Sequence, residues 1–295
     1  MFKKFILTST CCLTLVAPPL YWLSRNTADQ PHDSVDILTQ YLKFLYARDF
    51  RQAYGFISAK DQRLKPANDY VRERGAFTGF ALDVARKLAG LIEIRPLSNQ
   101  LEGTRTIVTA SMKLPDANSL AELLLDWDET KLNALSVTER KIRLATIDNL
   151  IAAKKLPMIE GEEKFVLVKE GSKWKVFLDW AAGAQVSFAA ALPPGAEIAA
   201  EPLTKHTVAR SGDLFTVGFK VTNPTAKEIV TRIAHRIEPK ELAQYLDLVE
   251  CALLLPVRIH PGETQTYRST YVVRGDLPDG TKTVNVTYEF KIKNQ

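Results

Sequence analysis

Chemistry-bearing side chains are scarce in this chain of 295 residues, which holds only 3 cysteines, 4 histidines and 3 methionines. Cys11 and Cys12 fall in the first dozen residues, so Cys251 stands alone in the rest of the chain. An internal disulfide there is excluded, and pairing across two copies is the only one left. No phosphate-binding glycine loop, zinc-ligand spacing or nucleophile elbow occurs, and the chain reads as a non-enzyme. Basic runs of five or more and aromatic–basic stripes are also missing. The surplus of 39 Lys/Arg over 34 Asp/Glu is thin, since Lys3 and Lys4 supply two of the five and residues 184–295 hold 13 basic against 12 acidic side chains. Nothing in that distribution makes a footprint for phosphate backbones, which argues against nucleic acid as a partner.

One long uncharged run is present, the 19 residues Phe5–Leu23 behind Lys3 and Lys4. A helix needs about 20 apolar residues to cross a bilayer, so this run is long enough to span. No small-x-small cleavage pattern follows it, and a cut after Ala17 would meet Pro18. A lipoprotein is excluded because Cys11 and Cys12 lie inside the apolar run. Residues 1–24 therefore read as a cytoplasmic n-region and an uncleaved transmembrane anchor. The two lysines keep the N-terminus inside, which places the body of a single-pass bacterial inner-membrane protein in the periplasm.

After the polar SRNTADQPHDS, Asp33 and Ser34 offer N-caps, and Val35, Leu38, Tyr41, Leu42 and Leu45 recur at helical spacing. A second short helix is expected after Asp49, with Phe50, Ala53, Tyr54 and Ile57 on one face. LIEIRP and TRTIVTASMK alternate like strands. A helical insertion follows, first SLAELLLDW and then a segment opened by the capping box Ser136–Glu139. KFVLVKEGSKWKVFLDW closes the region as a hairpin turning at Glu170-Gly171-Ser172. Asp126 and Asp128 around Trp127 read as a solvated helix end, and Asp179 beside Trp180 reads as structural rather than as the wall of a pocket with Trp174. TERKIRLATIDN looks like the wet face of a helix. From Gln185 the pattern changes to short strands separated by Pro-Gly, Ser-Gly and Asn-Pro turns, with a brief helix at PKELAQYL. That is the pattern of an immunoglobulin-like β-sandwich over residues 184–295.

The helix pair, strands and Trp-containing hairpin of residues 33–182 resemble the α+β cone of the nuclear-transport-factor-two-like superfamily. Members often hold a small molecule in the cone. The sandwich is similar to the membrane-anchored assembly factor family that delivers copper to cytochrome c oxidase. The resemblance lies in the order of Val186–Gly195, Ser211-Gly212-Asp213, Val221-Thr222-Asn223-Pro224, IEPKELAQYLDLVEC, HPGETQTYRSTYVV, DLPDG and VTYEF, and in Pro19-Leu20-Tyr21 at the anchor. The fold expected is thus a transmembrane helix, an α+β cone inserted after it, and an all-β sandwich.

The family's copper motif is Cys-Phe-Cys-Phe, and here that place reads Cys251-Ala252-Leu253-Leu254. A further family cysteine after Pro-Leu-Tyr has no counterpart; the nearest residue is Ser24. Cu(I) takes soft thiolates, and two cysteines at i and i+2 of a strand share one face and one ion. Leu253 donates nothing. Cys251 remains the candidate ligand, with His235 and His260 as helpers and His206 as a surface residue. Against this stands a packed thiol on a ridge of Val249, Cys251 and Leu253. The resemblance implies an accessory factor for assembly or maturation of a membrane metalloenzyme such as cytochrome c oxidase, acting mainly by docking on a subunit or assembly complex. The alternatives are a Cu(I) carrier using Cys251 in a homodimer, and small-molecule binding in the cone.

Overall fold

The computed structural model describes residues 31–251, 256–275, 277–278 and 280–293. The expected anchor lies outside them, as do Ala252, Leu253 and Leu254. No described helix is long and apolar enough to cross a membrane.

Five helices open the described chain: α1 (Pro31–Tyr46), α2 (Phe50–Tyr54), α3 (Ala59–Gln62), α4 (Ala67–Arg74) and α5 (Gly79–Ala89). The first begins at Pro31, not after Ser34. Proline fits a helix's first turn because its fixed φ is already helical. Ser34 is instead buried, with Asn99 donating to its hydroxyl at 3.3 Å. Asp49 caps α2 as expected, accepting from the Gln52 N–H. Phe80, Val84 and Leu88 of α5 recur every four residues and all face inward. Strands β1 (Glu93–Glu102), β2 (Arg105–Pro115), β3 (Met158–Glu170) and β4 (Lys173–Val176) form one antiparallel sheet in that order. The β3–β4 hairpin pairs Glu170 with Lys173, and Gly171 supplies the positive φ of 60° that its two-residue turn needs.

The insertion between β2 and β3 carries α6 (Glu129–Ala134) and α7 (Val137–Ala152), the latter opened by the capping box of Ser136 and Glu139. SLAELLLDW is not a helix. It runs through turns into Leu125, Asp126 and Trp127, all left-handed with φ of 53°, 60° and 57°. The reversal folds Trp127 back so that its ring stacks on Phe77 (6.2 Å) and its N–H reaches the Ala117 carbonyl. A straight helix would carry Trp127 past both. Asp126 and Asp128 stay solvated, and Asp128 caps α6.

The sandwich comprises β5 (Ala184–Ala191), β6 (Ala199–Pro202), β7 (His206–Ala209), β8 (Leu214–Thr222), β9 (Ile229–Glu238), β10 (Leu246–Cys251), β11 (Val257–Ile259), β12 (Thr264–Val273) and β13 (Thr283–Lys293). Sheet order is β10-β12-β8-β6 facing β11-β9-β13-β5-β7, with β5 and β13 parallel. Alternation in β8 sends Phe215, Val217, Phe219 and Val221 inward to meet Val284, Val286, Tyr288 and Phe290 of β13. Each such buried side chain contributes roughly 1.5–3 kcal/mol. PKELAQYL forms a 3-10 turn over Lys240–Tyr245.

The sandwich packs against the preceding α+β part at α4 and the end of the β4 hairpin. Arg72 donates to Thr204 at 2.9 Å, Thr207 donates to Glu73 at 2.8 Å, and Arg210 donates to the Leu178 carbonyl at 2.8 Å. Glu73 is itself paired with Lys65 at 2.9 Å, the two side chains being 2% and 4% exposed. The crossing chain is pinned by buried Asp61, which accepts from Ser58, from Leu178 N–H and from Trp180 N–H at 2.7–2.9 Å. At Gly183 a Cβ would come within 2.6 Å of the Ala209 carbonyl, so no larger residue fits where β5 leaves the junction.

Candidate functional site

Cys251 is the last described residue of β10, an edge strand of its sheet. Its surroundings follow from a bulge. Leu248 pairs with Tyr271 and Glu250 with Thr270, so Val249 is an extra residue opposite nothing. Val249 is 59% exposed, while Leu248 and Cys251, three apart, both pack on the sandwich core. The apolar ridge of Val249 and Cys251 expected from simple alternation is therefore broken, because the bulge turns Val249 out; Leu253 lies outside the described residues.

Ser269 sits opposite Cys251 on β12 and donates to its sulfur at 3.1 Å. Two residues on, Tyr271 faces the same interior and meets Tyr288 of β13, hydroxyl to hydroxyl, at 2.5 Å. Tyr271 also lies 3.4 Å from Nδ1 of His235, which pairs with Tyr288 across β9 and β13. The result is a line of polar groups, Cys251–Ser269–Tyr288–Tyr271–His235, crossing from one sheet to the other. Phe219 packs on the Tyr288 ring with centroids 4.1 Å apart.

Burial dominates the electrostatics. It pushes the Tyr288 hydroxyl up to about 12, with its Ser269 and Tyr271 neighbours pulling the other way. Tyr271 is raised further, first by burial and then by its Tyr288 neighbour. Both therefore stay neutral at physiological pH and serve as hydrogen-bonding groups, not as acid–base catalysts. Burial also lowers His235, which favours the neutral ring.

The expected helpers do not assemble. His235 lies at the far end of the line from Cys251. His260 is exposed, with Nδ1 3.2 Å from Glu228, and its N–H donates to Glu263, so it belongs to a separate surface cluster. His206 is exposed at the start of β7. Among the described residues no group of three or more His, Cys, Asp or Glu side chains is gathered for a metal ion. Among the described residues, the thiol's neighbours along this line are hydroxyls, which are hard donors and make no soft-ligand set for copper.

The cone interior is filled from within. Tyr41, Phe50, Tyr70, Trp174 and Trp180 pack together there, and Trp180 is fully buried. Asp179 closes the hairpin in a left-handed conformation 3.9 Å from Arg210, a structural position at the domain junction. Sequence reading missed Ser269, Tyr271 and Tyr288; their inward alternation in VTYEF and TQTYRSTYVV was the available signal, but not their pairing.

Residues 161–291 match the family model described as cytochrome c oxidase assembly protein CtaG/Cox11. The match does not support the superfamily suggested for the first domain. No curated protein matches. Among solved structures, a FixG-related protein from Vibrio parahaemolyticus is 10% identical with a TM-score of 0.21, covering 34% of this chain and 99% of that one. Escherichia coli alpha-2-macroglobulin activated by porcine elastase is 11% identical with a TM-score of 0.22, covering 68% of this chain and 21% of that one. Scores this low carry no argument. The match from β3 through β13 includes the whole line of groups around Cys251, and over this stretch the chain is similar to the CtaG/Cox11 family of cytochrome c oxidase assembly proteins.

Proposed function

We infer that the protein is a single-pass, membrane-anchored periplasmic accessory factor for assembly or maturation of a membrane metalloenzyme such as cytochrome c oxidase. It acts mainly by docking on a client subunit or assembly complex. The observation that supports this reading is the family match over residues 161–291, beside a Cys251 around which no group of metal ligands is gathered among the described residues. A delivery protein needs soft ligands in number, whereas a docking protein needs only its surface. Purification of the full chain from mild detergent should repeatedly bring down a membrane metalloenzyme subunit. Repeated recovery with no membrane partner would overturn the reading.

A second reading has one observation in its favour. Cys251 is free and lies on an edge strand, where a second copy can approach. Two such thiols could share one Cu(I) across a homodimer. Anaerobic Cu(I) titration of residues 31–295 against a competing chelator should then give one copper per two chains, lost in Cys251→Ser. Unchanged stoichiometry in that variant sinks the carrier.

A further inference from the structure

Away from Cys251, a cleft of about 450 Å³ opens between the second turn of α1, the Gly55–Phe56 segment and the β3–β4 hairpin. That volume falls within the about 300–1,000 Å³ of ligand clefts. Ile37, Phe56 and Trp174 supply its apolar lining, and Ser172, Lys173 and Lys175 form the hairpin wall, with Asp36 on the helix side. Trp174 is 6% exposed, and its indole N–H is buried without a partner.

The charge of the wall is uneven. Lys173 and Lys175, two apart on β4, share one face of the sheet, and Arg105 extends that row across Val168. No carboxylate lies within ion-pair distance of any of these three cations among the described residues. Lys175 donates only to the Gly55 carbonyl, at 2.5 Å, and Arg105 rests over the Phe177 ring at 5.0 Å. Glu170, directly opposite Lys173, is occupied elsewhere, accepting from the Ala59 N–H at 2.8 Å. An apolar cleft edged by unpaired cations complements a large apolar side chain beside an acidic one.

We propose that this cleft is a peptide-docking site, which takes a client segment carrying an aromatic or large aliphatic residue next to an aspartate or glutamate. The apolar side chain enters between Ile37, Phe56 and Trp174, and the acid meets Lys173 and Lys175. This deepens the docking reading and rests on it for the identity of the client, but the cleft's preference is testable without one.

Fluorescence anisotropy of the full chain in mild detergent with a labelled Gly-Asp-Phe-Glu-Gly peptide should show saturable binding, weakened at least tenfold by Lys173→Glu with Lys175→Glu. The Gly-Lys-Phe-Lys-Gly peptide should bind at least tenfold more weakly, and Lys291→Glu on the sandwich should change nothing. No saturation up to 1 mM peptide, or equal binding by the charge-reversed pair, overturns the site. Binding that appears only once residues 1–30 are removed would assign the cleft to the protein's own first thirty residues and overturn the client assignment. Failure of the docking reading looks different: the full chain would then recover no membrane partner whether or not the peptide binds.

Discussion

Replacing Lys65 with methionine is expected to cost about 3–5 kcal/mol, the usual penalty for leaving one member of a buried ion pair without its partner. Methionine keeps much of the apolar stem but also removes the ammonium that lies 4.7 Å over the Trp180 ring, so the loss includes that contact as well as the ion pair. Glu73 would remain buried with the Thr207 hydroxyl as its hydrogen-bond donor and without its ion-paired ammonium, while its second oxygen already lacks a partner. Urea unfolding of residues 31–295 reads the loss directly. Lys65→Met with Glu73→Leu should recover most of it, because neither charge is then stranded. Thr207→Val removes only the contact from the sandwich side and should cost about 1–3 kcal/mol. A Lys65→Met loss below about 1 kcal/mol would show that the pair is solvated and that the junction is not held as described.

Phe219→Ala should destabilise the sandwich by a similar amount, about 3–5 kcal/mol, because a fully buried ring is exchanged for a cavity. The consequence for the site is more specific. The Phe219 ring backs Tyr288, which holds Tyr271 and meets Ser269, the donor to Cys251. Loosening Tyr288 should speed alkylation of Cys251 by iodoacetamide several-fold under conditions where the variant is still folded, and Phe219→Leu should restore the slow rate. Unchanged alkylation in Phe219→Ala would mean that the thiol's exposure is set by β10 alone.

Much of the fold was legible because its signals are local. Asp49 and the Ser136–Glu139 box each satisfy orphan N–H groups within three residues, so their effect shows in the sequence. The alternation of β8 and β13 and the turn at Gly171 are local in the same way. The helices between Ala59 and Ala89 were not anticipated, although Phe80, Val84 and Leu88 carry helical spacing. SLAELLLDW was misread because Trp127 answers to Phe77 and Ala117, not to its own neighbours. Val249 was misplaced because a bulge is decided by pairing with β12, and one extra residue reverses the face of all that follow.

Composition and motif order alone set the expectations that Cys251, alone after the first dozen residues, makes no internal disulfide and that most of residues 185–290 resemble an oxidase assembly family, and the family match covers residues 161–291. They also placed Leu253 where the resemblance implies a second cysteine. What surrounds the surviving thiol was decided only in three dimensions. Ser269, Tyr288, Tyr271 and His235 come from three strands, and their hydroxyls and ring meet because two sheets face each other with inward alternation in register. The junction through Lys65, Glu73 and Thr207 joins residues more than 130 positions apart, for which no spacing rule exists. Local chemistry can be read along a chain, but a buried polar group finds its partner only when packing removes the water that would otherwise serve it.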